Sequence, residues 1–412
     1  MRIVYSFSIL VYSKLILLFS LFNEKAKKWI IGRKDVFDKL AKINPEKRKV
    51  VWIHSASLGE FEQAIPIIEK LKKETDFYIL ATFFSPSGYE NRKNYPLADF
   101  ICYLPIDTVR NAKKFLDLAK PDLAIFIKYE FWFNYLNQIK IKQIPCFLVA
   151  GIFRKNQLFF HPLGSWFKNQ LKAFNYFFVQ NNSSKALLEK IGFSNLEIAG
   201  DTRFDRVLEI AKQPYHNELI ESFTSNEKVV VIGSSWAKEN RFVEKYLKEK
   251  PNNKFIIAPH EIKPNEIEIL KNTLGKNAIL WSEVDALSKI EHYQFLIIDK
   301  IGLLSKLYRF AYLSVIGGGF GSGIHNTLEA AAYGSPIIFG PNYQKFQEAK
   351  DLVQLEAAFS FANYNEFKSL IDRFLNDNYF QQKAGSAAKN YVIGNSGSAE
   401  KIIEKINNTL IY

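Results

Sequence analysis

The chain has 412 residues, too many for one ordinary hydrophobic core, and this length points to two or three compact domains, with two as the working number. Hydrophobic residues make up 48% and charged residues 24%, the balance of a globular body, which argues against a polytopic membrane protein and a disordered chain. The net charge of +13 asks for an anionic setting; no Arg/Lys run interleaved with aromatics resembles a nucleic-acid module, so an anionic membrane surface suits it better, with a diffusely basic, solubilising surface as the plain alternative.

In chain order, residues 3–22 read IVYSFSILVYSKLILLFSLF, close to the ~20 residues needed to cross a bilayer, with Lys14 the only charge. Asn23-Glu24-Lys25-Ala26-Lys27-Lys28 follows directly without a small-x-small cleavage site, so the segment reads as a membrane anchor rather than a cleaved signal. Lys14 near its middle makes a full span costly by roughly 2.5–3.5 kcal/mol. A tilted or interfacial helix therefore stays open beside a span. Lys25, Lys27, Lys28, Arg33 and Lys34 predict that everything downstream lies in the cytoplasm, and they would attract anionic lipid headgroups. Trp29-Ile30-Ile31 among them suits the interface.

From Lys49 onward, short β-branched or aromatic runs alternate with longer amphipathic stretches, the pattern of parallel α/β layering. Strands are expected at 50–54, 77–82, 100–104, 123–127, 146–150 and 176–179, and in a second series at 229–232, 254–258, 295–298, 313–316 and 336–339. The charged stretch 205–228, with Pro214 and little strand character, is the expected hinge. The predicted organisation is an anchor with a basic juxtamembrane segment (1–34), an N-terminal Rossmann-like domain (35–210) and a C-terminal one (211–412). Such folds bind ligands at the carboxyl ends of their strands, so a cleft between the domains is the expected site. Cys102 and Cys146 each lie in an apolar run and form no ligand spacing, as core thiols of a reducing compartment would.

The most informative segment runs from Gly317 to Glu329, GGGFGSGIHNTLE, followed by Ala330-Ala331-Ala332-Tyr333-Gly334-Ser335-Pro336. A strand, a glycine-rich turn at Gly318, Gly319 and Gly323, and then a helix would let backbone N–H groups and the helix N-terminus approach a phosphate. Glu329, expected one turn inside that helix, can accept two hydrogen bonds from the vicinal hydroxyls of a ribose. The whole arrangement is the pattern of the nucleotide-binding half of glycosyltransferases with two facing Rossmann-like domains, whereas glycine turns alone also serve ordinary strand–helix joins.

The second constellation is Trp52-Ile53-His54-Ser55-Ala56-Ser57-Leu58-Gly59-Glu60, where the first strand turns into a helix expected to begin near Glu60. Ser55, Ser57 and Gly59 make a tight polar turn on what would be the acceptor side. Glu60 at the helix mouth can take a proton from an attacking hydroxyl, as a general base in glycosyl transfer must. It can equally be a helix-terminal charge that stabilises the dipole, and spacing does not choose between the two.

HSASLGEFEQAIPIIEKLK, ATFFSPSGYE, YLPID, KPDLAIFIKYEFWFN, AGDTRFD and GIHNTLEAAAYGSPIIFGP occur in an order and spacing that resembles the 3-deoxy-D-manno-octulosonic acid (Kdo) transferases of lipopolysaccharide biosynthesis, over nearly the whole chain. The resemblance implies an α/β fold of two facing Rossmann-like domains, the glycosyltransferase B architecture, with an N-terminal membrane-anchor helix. It implies an inverting transfer of Kdo from CMP-Kdo to the lipid A precursor lipid IVA at the inner membrane, with no metal ion, no cofactor and no nucleic-acid partner. The family's general base corresponds to Glu60, and its second acid to Glu130 in Tyr129-Glu130-Phe131-Trp132. Donor-nucleotide contacts correspond to Gly233, Ser234, Pro259, His260, Asn326 and Glu329, with the glycine turn. The chain departs from the family at Pro259-His260-Glu261, where an arginine is missing that Lys263 or Arg241 could replace. Other departures are Gly323-Ile324-His325-Asn326, one glycine short, and Gly200-Asp201-Thr202-Arg203-Phe204-Asp205. The rival readings are a transferase of the same architecture using a UDP-sugar, and a non-catalytic, membrane-tethered nucleotide-binding protein.

Overall fold

The structure is a computed structural model that describes residues 1–224, 227–250, 252–285 and 289–411. Ser225 and Asn226, inside the expected hinge stretch, lie outside the described residues. The chain forms two compact units, Met1–Arg206 with Ser396–Tyr412, and Val207–Asn395.

The first unit is built on β1 (Val50–Ser55), β2 (Tyr78–Phe83), β3 (Phe100–Tyr103), β4 (Leu123–Ile127), β5 (Cys146–Gly151), β6 (Tyr176–Val179) and β7 (Leu196–Ile198), in the order β3-β2-β1-β4-β5-β6-β7. The second contains β8 (Val229–Ser235), β9 (Lys254–Pro259), β10 (Ala278–Leu280), β11 (Phe295–Ile297), β12 (Leu313–Ile316), β13 (Ile337–Phe339) and β14 (Ala358–Ser360), in the order β10-β11-β9-β8-β12-β13-β14. All pairings are parallel. Both sheets are doubly wound, with the strand order reversing between β1 and β4 and between β8 and β12, the points where such sheets open a ligand crevice. The strands β1, β2, β4 and β5 are buried along their whole length, and mostly apolar, because helices cover both faces. Along β1, Val50 and Trp52 pack into one layer while Val51 and Ile53 pack into the other.

All the strands expected from sequence are present to within a residue or two, or three at the end of β8. The strands not expected, β7, β10 and β14, have three residues each and all lie at sheet edges. The expected hinge stretch contains the helices Arg203–Lys212 and Glu218–Thr224. The helix Ser398–Leu410 returns to the first unit, whereas the sequence reading kept it with the second. Ile402, Ile403, Ile406 and Leu410 enter the same core as Ile65 and Ile68 of the helix Leu58–Glu74. Ser398 Oγ donates to the carbonyl of Ala199 at 2.7 Å, and Asp205 accepts the Gly397 N–H at 2.7 Å.

The apolar N-terminus is one 18-residue helix, Arg2–Phe19. A second helix, Glu24–Ile31, starts at Asn23, whose side chain accepts the Ala26 N–H. Two expectations for this region are corrected. Trp29 is 4% exposed and packs edge-on against Phe84, so it is a core residue and not an interfacial one. The Arg33 guanidinium donates to the carbonyls of Leu104, Trp29 and Phe84 at 2.9, 2.9 and 2.6 Å and lies 3.8 Å over the Trp29 ring. With its donors committed to three backbone oxygens, Arg33 ties the juxtamembrane segment to the first unit and is not a headgroup ligand. Burial lowers its pKa to about 9.

Candidate functional site

In the first unit, the candidate residues cluster where β1 and β4 end. Ser57 precedes the helix Leu58–Glu74 in an extended conformation, so that helix begins two residues earlier than expected and Glu60 sits in its first turn. Ser57 Oγ makes no bond to the helix backbone and instead donates to the Glu60 carboxylate. Glu60 is half-buried, held by a hydroxyl at a helix N-terminus, an arrangement that keeps a carboxylate oriented while leaving it reachable. Gly59 is exposed, with no atom within 4 Å of where a Cβ would stand, so the turn is open on that side. Ser55 is buried at 1% exposure, and its hydroxyl has no partner among the described residues.

Glu130 follows β4 and is 8% exposed. Its Oε2 lies 2.6 Å from the Trp132 indole N–H and 3.1 Å from His54 Nε2. His54 is fully buried, with Nδ1 2.9 Å from Thr82 Oγ1. Thr82 Oγ1 also accepts the Trp52 indole N–H at 2.8 Å. Indole can only donate, so the Thr82 hydroxyl proton is free to point at His54 Nδ1. The Trp132 indole N–H also lies 2.9 Å from His54 Nε2, so it is shared between that nitrogen and Glu130 Oε2. Trp52, Thr82, His54, Glu130 and Trp132 thus form one polar chain around the buried carboxylate. Parallel register places His54 beside Thr82 on β2. Sequence reasoning quoted His54 and Trp132 without giving either a role, and it missed Thr82; the signal available was an imidazole at the carboxyl end of an otherwise apolar strand.

In the second unit, Gly233 and Ser234 lie in β8 near its end, and Ser234 has φ +51°, a left-handed conformation that a non-glycine residue adopts at a cost. Pro259 ends β9, and the His260 N–H donates to the Ser235 carbonyl at 3.0 Å. The imidazole of His260 stacks on both the Trp236 and the His325 rings, with centroids 4.7 and 4.2 Å away, and these two rings lie side by side, the Trp236 indole N–H donating to His325 Nε2 at 3.2 Å. Burial, with the charge of His260 next to it, lowers the His325 pKa to about 4. A cavity of about 700 Å³ opens beside these groups, lined by Ser235, Trp236, Arg241, Pro259 and Lys263 among others. Its size suits a sugar nucleotide. Of the two suggested replacements for the missing arginine, Lys263 is paired with Glu261 and with Glu266 at 3.1 Å. Among the described residues, Arg241 donates only to a carbonyl of its own helix, at 3.2 Å, which leaves most of its fork for a ligand.

The glycine-rich stretch differs from expectation in two respects. Gly318, at φ +90°, has its N–H taken at 3.0 Å by Glu239 Oε1, so that donor serves the fold. Glu239 is fully buried in the first turn of the helix Ala237–Glu249, and burial raises its pKa. It was not singled out from sequence, because a glutamate in a first turn reads as a dipole charge. The helix after the turn, Leu328–Ala332, has only five residues, so Glu329 is its second residue rather than one turn in. Gly319 packs backbone to backbone on Gly340, whose Cα lies 2.6 Å from a Cβ added there. Gly323 lies in the irregular stretch before Asn326, which donates to Glu329 Oε1 at 3.0 Å and accepts the Leu328 N–H at 3.1 Å. Among the described residues, no group of three or more His, Cys, Asp and Glu side chains could hold a metal ion.

Residues 33–206, which include Glu60 and Glu130, match the family model described as 3-deoxy-D-manno-octulosonic-acid transferase (kdotransferase). A bifunctional glycosyltransferase/methyltransferase of Fusobacterium nucleatum is 25% identical over 351 residues, 82% of this chain, which spans about half (54%) of that relative's length. A 3-deoxy-D-manno-octulosonic acid transferase of Rickettsia felis is 29% identical over 345 residues, 80% of this chain and 72% of that protein. In fold, the chain is similar to the UDP-GlcNAc 2-epimerase of Neisseria meningitidis, solved with UDP-GlcNAc, at a TM-score of 0.61 and 15% identity over 87% of this chain and 100% of that one.

Proposed function

We propose that this chain is a glycosyltransferase of the Kdo transferase family, with the two Rossmann-like units of the glycosyltransferase B class, and that it carries out an inverting transfer of Kdo from CMP-Kdo to a lipid A precursor, lipid IVA. Glu60 removes the proton of a glucosamine hydroxyl as that oxygen attacks the Kdo anomeric carbon, and CMP leaves from the opposite face. Ser57 orients the base, while Ser55 and Gly59 border the space the acceptor needs. Glu130, held by His54 and Trp132, orders the acceptor next to that turn.

The second unit is the donor side in this reading. CMP-Kdo takes the cavity at Ser235, Trp236 and Pro259, beside Gly233, Ser234 and His260, and Arg241 meets the phosphate, whose negative charge grows as the glycosidic bond breaks. Glu329, steadied by Asn326, receives the ribose hydroxyls, and the turn at Gly318, Gly319 and Gly323 shapes the wall on that side. The transfer is proposed to run without a metal ion or other cofactor. The work is placed at the cytoplasmic face of the inner membrane, because the helix Arg2–Phe19 is long and apolar enough to cross a membrane by length and composition, and exposed lysines follow it.

The observation that carries this reading is the half-buried Glu60, oriented by Ser57 at the end of β1 within the stretch that matches the family. Incubation of the full chain with CMP-Kdo and a tetra-acylated lipid A precursor, followed by mass spectrometry, should show the lipid gaining Kdo. Glu60→Gln should lower the rate by about two to four orders of magnitude with the thermal midpoint unchanged. A wild-type chain that makes no product, or a Glu60→Gln chain of undiminished turnover, overturns the proposal.

A further inference from the structure

We propose that the helix Arg2–Phe19 lies flat in the membrane interface, clasped along its polar edge to the first unit, and does not span the bilayer. This rests on the reading of the chain as a membrane-surface enzyme and specifies how the surface is held.

Length and composition fit either geometry, and the distribution of side chains around the helix separates them. Arg2, Tyr5, Ser6, Ile9, Ser13 and Ile16 are shielded by the first unit, and they recur at spacings of three and four, one face of a helix. The opposite face is open and, apart from Lys14, whose ammonium can reach back to the headgroups on its long stem, mostly apolar: Ile3 is 86% exposed, Phe7 67% and Phe19 63%. The usual arrangement for a soluble amphipathic helix is therefore reversed, with polar groups inward and hydrocarbon outward.

The inward groups are specifically engaged. Tyr5 Oη donates to Asp107 Oδ2 at 2.5 Å, and Asp107 also accepts the backbone N–H groups of Asn134 and Tyr135 at 3.2 and 3.0 Å, at the start of the helix Phe133–Ile141. The Asn134 side chain meets Ser6 at 3.2 Å and Arg2 at 3.4 Å. The Tyr5 ring lies 4.9 Å from Phe133. Two turns later, Tyr12 stacks on Phe84 and meets Trp29 edge-on, both at 6.4 Å. Two anchor points seven residues apart, about 10 Å along the axis, fix the direction of the helix across the surface of the unit. A span would have to pull Arg2, Tyr5 and Ser6 off Asp107 and Asn134 and carry them to the far side of the hydrocarbon.

The occupant of the open face is an anionic bilayer interface. Lys25, Lys27, Lys28 and Lys34 are exposed immediately after the helix, where phospholipid headgroups would meet a shallowly buried one, and the chain carries a net charge of +13.

The test uses the full chain bound to vesicles of phosphatidylethanolamine and phosphatidylglycerol. Nitroxides are attached in turn through Val4→Cys, Val11→Cys and Leu18→Cys, since Cys102 and Cys146 are buried and inert to the label. Collisional depth measurements should place all three labels at one shallow depth. In addition, Tyr5→Phe should mobilise the label at position 4 while leaving the one at 18 unchanged. A label at position 11 deeper than the other two, with 4 and 18 near opposite surfaces, overturns the proposal, as does failure to bind vesicles. Burial of the three labels against a second copy in lipid-free solution overturns it in favour of self-association. No Kdo transfer is measured, so failure here is distinct from failure of the proposed reaction.

Discussion

Replacing Thr82 with valine keeps the outline of the side chain and removes one hydroxyl. That hydroxyl is the partner of two buried groups, the Trp52 indole N–H at 2.8 Å and His54 Nδ1 at 2.9 Å, in a place where Trp52 and His54 have no exposure and Thr82 has 1%. Neither orphan can reach bulk water, and leaving a buried donor or acceptor unpaired costs about 1–3 kcal/mol each. With some relaxation shared between the two, the expected loss is about 2–4 kcal/mol in the first unit. The measurement is urea unfolding followed by tryptophan fluorescence, with Thr82→Ser as the partner variant, since serine restores the hydroxyl and removes only a methyl group. Thr82→Ser should recover most of the lost stability. Turnover of Thr82→Val should fall as well, because His54 loses the hydroxyl that holds its ring beside Glu130, whereas CMP affinity should not change. A Thr82→Val protein within about 0.5 kcal/mol of wild type, the scatter expected of a neutral surface change, would refute the hydrogen-bond chain.

Glu329→Ala should weaken CMP binding by about tenfold in calorimetry, the worth of one or two hydrogen bonds to a carboxylate, and an unchanged affinity would remove the ribose assignment. His325 is held neutral to about pH 4 in the fold, while the unfolded chain takes up this proton near 6.5. Its contribution is therefore complete above pH 6.5 and is lost as the pH falls toward 4. Because the ring is partly exposed, the loss should be about 1–2 kcal/mol, and His325→Asn should flatten the acid side of a stability-against-pH curve. Gly319→Ala would set a methyl group 2.6 Å from the Gly340 Cα, backbone that cannot step aside as a side chain could. It should destabilise the second unit by about 1–3 kcal/mol or more, read as a lowered urea midpoint for that unit with the first unit's transition unmoved.

The central strands were legible in the sequence because burial on both faces writes them as unbroken apolar runs. The strands β7, β10 and β14 were not, because three residues at an edge carry neither a run nor a period. Glu60 could be located from the Ser and Gly turn after a strand, a local signal. The surroundings of Glu130 could not, since its partners come from positions 76 residues back at His54 and two residues on at Trp132, and the hydroxyl that orients His54 is on a neighbouring strand. Glu239 was hidden for the same reason: its partner, Gly318, is 79 residues away. Arg33 misled in the opposite direction, because a cation in a basic run looks like a headgroup ligand until three carbonyls are found around it. Residues 398–410 carry the period of an amphipathic helix, a local pattern that does not say which sheet the helix covers, and the sequence reading left them in the C-terminal domain.

That last helix makes the first unit discontinuous along the chain. Its sheet and most of its core are encoded before residue 207, yet one side of that core stays open until residues 398–410 have left the ribosome, by which time the contiguous second unit has been synthesised in full. The order of maturation is thus inverted with respect to the order of translation, since the unit begun first is completed last. Clipping the carboxyl-terminal helix should accordingly uncover Ile65 and Ile68, next to the turn that carries Glu60, while sparing the unit to which it is joined in sequence.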